Sequence, residues 1–234
     1  MESIRAADLE PLSMQASVFT PERDPDGWAR FVEQAPRWAH LFDAEPAALT
    51  GDDGVAMVSL RSGSGVWRLD VARDRTDLYW MRAEPTTPPI AAADFHAEAI
   101  PLLRAYVSSV EARVGRLAVV VNRFVRRAAP AGSLAAHFCR DRWNLGDATS
   151  FDLQVHKRIK LGPFDLNYRV RSRAGTAFGT GDPPLLNVEQ DANTRADTTP
   201  YARFDGDAIA TFFRLAAAEH ERVAASLYPD GGPR

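Results

Sequence analysis

Cationic side chains share one parity in the stretch "FDLQVHKRIKLGPFDLNYRVRSR", residues 151–173. Arginines held on a rigid surface suit the recognition of carboxylate or phosphate groups, because the guanidinium donates paired hydrogen bonds. Lys157 falls on the opposite parity and is therefore the candidate residue for a ligand pocket on the other side of the sheet. The candidate residues for binding a partner or an anion are Arg126, Arg158, Lys160, Arg169, Arg171 and Arg173.

The histidines, the cysteine and the glycines are not spaced as catalytic, metal-binding or phosphate-binding motifs require. His137 and Cys139 are two apart on a predicted helix, so they point to different faces. The glycine stretch 174–184 lacks the GxxxxGK[ST] pattern and precedes a strand, which favours a hairpin loop over a phosphate loop. His220 lies on an apolar helix stripe and is interpreted as a hydrogen-bonded core histidine. We therefore predict no catalytic residue, no metal site and no cofactor.

The cationic stretch must be positioned by a hairpin. Apolar residues such as Leu153 and Val155 alternate with polar ones in the first strand, and Leu166, Tyr168 and Val170 do so in the second. This period of two predicts a sheet with one buried face and one open face. The plain alternative to a binding surface is a solvated face, where arginine stems cover apolar surface and Asp–Arg pairs add modest stability.

The wider pattern predicts an α+β protein. In the first half we predict a strand at 11–19, a helix at 24–42, strands at 55–60, 65–73 and 77–84, and a helix from Asp94 to a C-cap at Gly115, with Pro101 interrupting it. In the second half we predict a strand at 116–127, a helix at 133–143 capped by Ser133, strands at 151–161, 164–173 and 184–191, and a helix at 205–227.

This order predicts two tandem β-α-β-β-β-α units, spanning residues 1–115 and 116–234. They form a mainly antiparallel sheet or sheets with helices on one face. The units either form two halves or belong to one continuous domain. The topology resembles the duplicated folds of the TATA-binding-protein type, a likeness that does not determine function.

Charge is spread unevenly along the chain. Residues 116–180 contain twelve Lys or Arg and four Asp, a local charge of +8, and the net charge of −3 leaves −11 for the remainder. Local fields of this kind attract anionic partners. Few aromatic residues share the cationic parity, which disfavours a single-stranded nucleic-acid platform. The single cysteine, Cys139, and the absence of an apolar leader or membrane-length apolar run predict a cytoplasmic protein without a membrane partner.

The second half resembles a known family. The strand "RLAVVVNRFVRR", the two long hairpin strands, the "LLNVEQD" strand and a last helix with an "A–EH" step are similar to those of an uncharacterised, sporadically distributed bacterial family of about this length. The resemblance covers residues 116–228. It implies no established activity and no catalytic residues, and the sporadic distribution implies a role in antiviral defence, toxin neutralisation or regulation.

We therefore predict a non-enzymatic binding, assembly or regulatory protein. Its partner is expected to be an acidic protein or an anionic ligand that docks on the open face. One alternative is a small-ligand receptor or an enzyme with a cavity between sheet and helices, which would use Lys157. A second alternative is a nucleic-acid-binding protein that uses the same basic face.

Overall fold

Nine antiparallel strands form one continuous sheet in the order β2-β3-β4-β5-β1-β6-β9-β8-β7. The computed structural model describes residues 4–21, 30–31, 33–43, 47–50, 56–72, 74–82, 84, 86–139, 147–176, 183–195 and 203–230. The strands are β1 (Glu10–Phe19), β2 (Ala47–Thr50), β3 (Ala56–Arg61), β4 (Trp67–Val71), β5 (Arg75–Met81), β6 (Arg116–Arg126), β7 (Asp152–Leu161), β8 (Phe164–Gly175) and β9 (Leu185–Thr194).

Three helices of the described residues complete an α+β fold: α1 (Ala92–Ser109), α2 (Pro130–Phe138) and α3 (Gly206–Leu227). The helix α3 begins as its sequence predicts, because the Asp205 carboxylate accepts a hydrogen bond from the Ala208 N–H at 2.8 Å. No helix in the described part of the chain has the length and apolar character needed to cross a membrane.

The alternation of side chains gives the sheet two different faces, as predicted. On β8, Leu166, Tyr168 and Val170 are buried, while Asp165 and Asn167 between them are exposed. We call the buried side the helix side and the other the open face. The hydrophobic core therefore lies between the sheet and the helices, which pack on one side of it.

The strands β1 and β6 pair at the centre of the sheet and join its two arms. We call β1–β5 with α1 the first half, and β6–β9 with α2 and α3 the second half. The short strand β2 was not predicted from the sequence. The interpretation of the halves as tandem copies with a boundary after residue 115 stays a prediction.

Some predicted element ends were wrong. The helix α1 runs through Pro101 without a break but ends at Ser109, because Val114 pairs with Phe204 as an isolated β-bridge instead of continuing the helix. Ser133 lies inside α2 rather than capping it, since the helix already begins at Pro130. Of the helix predicted at 24–42, residues 24–29 and 32 lie outside the described residues, and residues 35–38 form a 3₁₀ turn.

Candidate functional site

The open face of the second half contains a shallow hollow of about 450 Å³. It lies over the outer strands β7, β8 and β9 and reaches the start of β6. Cationic and amide groups dominate its lining. The residues that line it are Arg116, His156, Lys157, Arg158, Asn167, Tyr168, Arg169, Asp191 and Asn193.

The register of the sheet explains why these side chains meet. His156, Arg169 and Asp191 stand opposite one another across β7, β8 and β9. Directly opposite residues share a face and lie about 5 Å apart, so each set forms a row across the strands. The next row consists of Arg158, Asn167 and Asn193.

Arg116 closes the hollow from β6. Its Nη2 donates a hydrogen bond to Asn193 Oδ1 at 2.8 Å. Its guanidinium carbon lies 4.8 Å from the centre of the Phe19 ring on β1. These two contacts hold the cation over the rim, where a cation–π contact fixes its orientation.

The arginines of the hollow differ in how they are paired. Arg169 forms ion pairs with Glu189 and with Asp191, the latter at 3.5 Å. Arg158 is exposed, and within the described ranges no carboxylate forms an ion pair with it. Lys160 lies opposite Asp165 in the register, again without an ion pair among the described residues. Arg158 and Lys160 are therefore available to an external anion.

Arg171 and Arg173 line a second depression of about 510 Å³, where β8 passes the start of β7. Arg171 Nε donates a hydrogen bond to Asp152 Oδ1 at 2.9 Å. That bond, together with the nearby positive charge, holds the pKa of the Asp152 carboxyl below its usual value. Arg171 is thus engaged within the sheet, whereas Arg173 has no ion pair in the part of the chain that the structure describes.

Arg126 lies on the open face, as predicted, but it does not line the hollow. Arg126 stands at the end of β6 opposite Leu185, and β9 separates its strand from β8. Arg116 occupies the other end of β6, roughly 33 Å away at the usual rise per residue. The sequence analysis named Arg126 and not Arg116, because it did not place β9 between β6 and β8.

Cations outnumber carboxylates on the open face of the second half, seven to four. The local charge of this surface is therefore +3. The cations are Arg116, Arg126, Arg158, Lys160, Arg169, Arg171 and Arg173. The carboxylates are Asp152, Asp165, Glu189 and Asp191.

Lys157 borders the hollow but directs its Nζ to the helix side, as its parity predicts, at 5.5 Å from the centre of the Tyr168 ring. It borders an apolar groove of about 100 Å³ between β7 and α3. Small-molecule sites usually measure about 300–1,000 Å³. The groove is therefore too small for the ligand pocket that the receptor alternative requires.

A buried polar network on the helix side was missed by the sequence analysis. Arg123 on β6 is only 4% exposed and donates hydrogen bonds to Gln190 and Glu221. The Gln190 amide donates to Tyr168 Oη at 3.1 Å and to the His220 carbonyl at 2.8 Å. The members of this network satisfy one another, which favours a structural role over catalysis.

Two histidines are buried between α1 and the second half. Neither His96 nor His220 has a described hydrogen-bond partner at either ring nitrogen. Burial lowers the pKa of His96 to about 4 and that of His220 to about 3, and the positive charge of Arg123 adds to the shift at His220. The expectation of a hydrogen-bonded His220 was wrong, although its place in the core was predicted.

The described residues do not contain a cluster of side chains suited to binding a metal ion. No group of three or more His, Cys, Asp or Glu there could hold a metal ion. The single thiol, Cys139, is exposed and free, while His137 Nε2 is engaged with the Leu227 carbonyl at 2.7 Å.

Among the described residues, three aromatic rings lie on the open face and make cation–π contacts. Each is covered by at least one arginine, so its face is already occupied. The contacts join Phe19 to Arg75 and Arg116, Tyr79 to Arg68, and Phe124 to Arg82, at 4.5–5.3 Å.

No family model matches the chain, and no curated protein does. The resemblance of residues 116–228 to a sporadically distributed bacterial family therefore stays a prediction.

Proposed function

We propose that this protein is a binding protein that takes an anionic partner on the open face of its second half. The observation that carries the proposal is the hollow of about 450 Å³, which Arg158 borders without a described carboxylate partner. A carboxylate or phosphate placed there would gain charge-assisted hydrogen bonds from Arg158 and Arg116. The amide of Asn167 adds a neutral donor beside them.

An acidic protein suits this surface better than a nucleic acid. Single-stranded nucleic acids bind by stacking bases on exposed rings. The rings on the open face are instead covered by arginines, at 4.8 Å between Arg116 and Phe19. A base would have to displace such a cation before it could stack, whereas a carboxylate needs no such rearrangement.

The proposed setting is the cytoplasm, because a single exposed cysteine suits a reducing compartment. A role in defence or toxin neutralisation is part of the proposal only through the family resemblance, and the hollow itself fits any partner that presents clustered carboxylates. We propose no enzymatic activity, since the buried polar groups around Arg123 satisfy one another.

The test compares charge reversal in the two halves. A fluorescein-labelled decaglutamate is titrated with the wild type, with the double variant Arg158→Glu, Lys160→Glu, and with Arg61→Glu. Arg61 is the matched control, because it is an exposed arginine on β3 of the same sheet whose Nε donates to Ser59. Fluorescence anisotropy gives Kd at 50 mM and 300 mM salt.

We expect the double variant to weaken binding by at least about tenfold and Arg61→Glu by less than about twofold. Wild-type binding should weaken with salt, since the contacts are between exposed charges. Unchanged affinity in the double variant would overturn the proposal, as would equal weakening by Arg61→Glu. Tighter binding of a random 20-nucleotide single strand than of decaglutamate would favour the nucleic-acid alternative instead.

A further inference from the structure

The strand β7 is the last strand of the sheet on the side of the hollow. It is 10 residues long and pairs only with β8 among the described strands. An edge of this length presents a row of backbone donors and acceptors to solvent. Such an edge is also where an extended peptide can add as a further strand.

The direction of these backbone groups follows from two hydrogen bonds. The Ala174 N–H donates to the Phe151 carbonyl at 3.1 Å, so residues 151 and 174 form a hydrogen-bonded pair. Alternate residues from Phe151 then bond to β8, and the residues between them point outward. On the other side of β8, the Arg195 N–H donates to the Asp165 carbonyl at 3.0 Å, which fixes the same alternation there.

The outward backbone groups therefore belong to the residues whose side chains lie on the open face. They are Asp152, Gln154, His156, Arg158 and Lys160. An added strand would thus form its hydrogen bonds at the same residues that carry the available cations.

The two faces of β7 would contact different kinds of side chain on an added strand. On the helix side, Val155 is 47% exposed and is the only large exposed hydrophobic residue in the described ranges. It borders the apolar groove together with Leu153, Val223 and Leu227. An added strand therefore meets an apolar surface on one face and cations on the other.

A second copy of β7 is a poor occupant of this edge. Residues 156–160 contain Lys157, Arg158 and Lys160, and antiparallel pairing of two copies would bring six such cations together. Cations on an edge strand, especially one directed to the inner side like Lys157, oppose self-association. The same charges favour an acidic strand, so they select one partner against the other.

We propose that β7 accepts a tenth strand from an acidic partner, a segment in which carboxylate and apolar residues alternate. Opposite residues in paired strands share a face, so its carboxylates face Arg158 and Lys160. Its apolar residues cover Val155 and Leu153. The inference rests on the proposed function, because it specifies the partner of the same surface.

The probe is the capped heptapeptide Glu-Val-Glu-Leu-Glu-Val-Glu. Its control is Glu-Glu-Glu-Glu-Val-Leu-Val, which has the same composition without alternation. The informative variant is His156→Pro, which removes one outward N–H and breaks no bond to β8, since proline is tolerated where the N–H of an edge strand faces solvent. His156→Ala is its matched control, because it keeps that N–H.

We expect the alternating peptide to bind at least about tenfold more tightly than the block peptide. His156→Pro should remove that advantage, and His156→Ala should keep it within about threefold. A second readout uses the peptide alone, with N-methyl groups placed at one or the other set of alternate residues. Only one set of the peptide's N–H groups faces β7. Methylation of that set should abolish binding, and methylation of the other set should leave binding unchanged. This readout does not depend on the stability of His156→Pro.

Equal binding of the two peptides, or equal effects of both methylation patterns, would overturn the added strand while leaving the proposed function intact. Failure of the proposed function gives a different result. In that case the double variant Arg158→Glu, Lys160→Glu binds decaglutamate as tightly as the wild type does. A concentration-dependent dimer that His156→Pro abolishes in sedimentation experiments would overturn the acidic partner in favour of a second copy.

Discussion

The open faces of the two halves differ in how their arginines are paired with carboxylates. In the first half, Arg68 lies 2.9 Å from Asp70 and Arg75 lies 2.7 Å from Asp77. These two carboxylates stand directly opposite each other, so the arginines offset a repulsion that the register creates. In the second half, Arg158 and Lys160 have no such described partner. On β3, β4 and β5, Arg61, Arg68 and Arg75 exceed these two aspartates by one charge, whereas the surplus in the second half is three, so the cations are concentrated in the second half.

The helix sides of the halves differ as well. The buried helix-side positions of β1, β4 and β5 are apolar apart from Thr76. They are Met14, Ala16, Val18, Leu69, Val71, Thr76, Leu78 and Trp80. The second half places Arg123 and Gln190 at such positions.

Arg123→Ala should lower the free energy of unfolding by about 3 kcal/mol, because it leaves the Gln190 carbonyl oxygen buried without its donor and opens a cavity. Arg61→Ala, in the first half, should change it by no more than about 0.5 kcal/mol. Urea unfolding at pH 7, followed by circular dichroism, measures both. Equal effects would mean that the buried network adds nothing to the stability of the second half.

Acid should destabilise the protein through His96 and His220. Their pKa values are lowered to about 4 and about 3, so below the unfolded value of about 6.5 the unfolded state binds more protons. Stability is then lost as the pH falls, by about 2 kcal/mol for each histidine at pH 5. His96→Leu and His220→Leu should each reduce that loss by this amount.

The effects of the two histidines on stability differ below pH 4. The loss due to His96 levels off near its pKa, while the loss due to His220 continues to lower pH, because deeper burial and the charge of Arg123 lower the pKa of His220 further. His220→Leu should therefore protect more than His96→Leu in that range. Urea unfolding at pH 7, 5, 4 and 3 measures the difference, and identical pH profiles of the two variants would contradict the lower pKa of His220.

The hairpin turns of the halves give a smaller contrast. Gly65 and Gly162 both have positive φ, 71° and 57°, so alanine at either position costs about 1–2 kcal/mol in the backbone. A Cβ at Gly162 would also lie 2.8 Å from Leu215 Cδ1 of α3, whereas nothing lies within 4 Å at Gly65. Gly162→Ala should thus lower the thermal midpoint more than Gly65→Ala, and a reversed order would show that the turn does not press on α3.

Removing single open-face cations should have the smallest effects on stability. Arg169→Ala leaves Glu189 and Asp191 without their shared cation and should cost about 1 kcal/mol. Arg158→Ala removes no described ion pair and should stay within about 0.5 kcal/mol. Urea unfolding at low salt compares them, and a larger loss for Arg158→Ala would contradict its availability to a partner.

Local patterns predicted the fold class and the faces of the strands. The alternation on β8 placed Arg169 and Arg171 on the open face, and the apolar stripe within residues 205–227 predicted α3. These signals depend on side-chain period, which the nearby sequence determines.

Long-range pairing could not be predicted in the same way. The position of β9 between β6 and β8 decides that Arg116 joins the hollow and that Arg126 does not. Arg123 was counted among the cations without a place in the core, because a single polar residue in an alternating strand gives no sign of a buried partner such as Gln190. The end of α1 depended on the pairing of Val114 with a residue far along the chain, which overrides local helix propensity.

The central position of β1 has a consequence for synthesis on the ribosome. Phe19 pairs with Arg75 and Arg116, residues that lie 56 and 97 positions later in the chain. At about 5–20 residues per second, β1 waits roughly 3 to 20 s for these neighbours. Its alternate positions Ser13, Gln15 and Ser17 are polar, so the middle of the waiting strand offers apolar surface to other nascent chains on one side only.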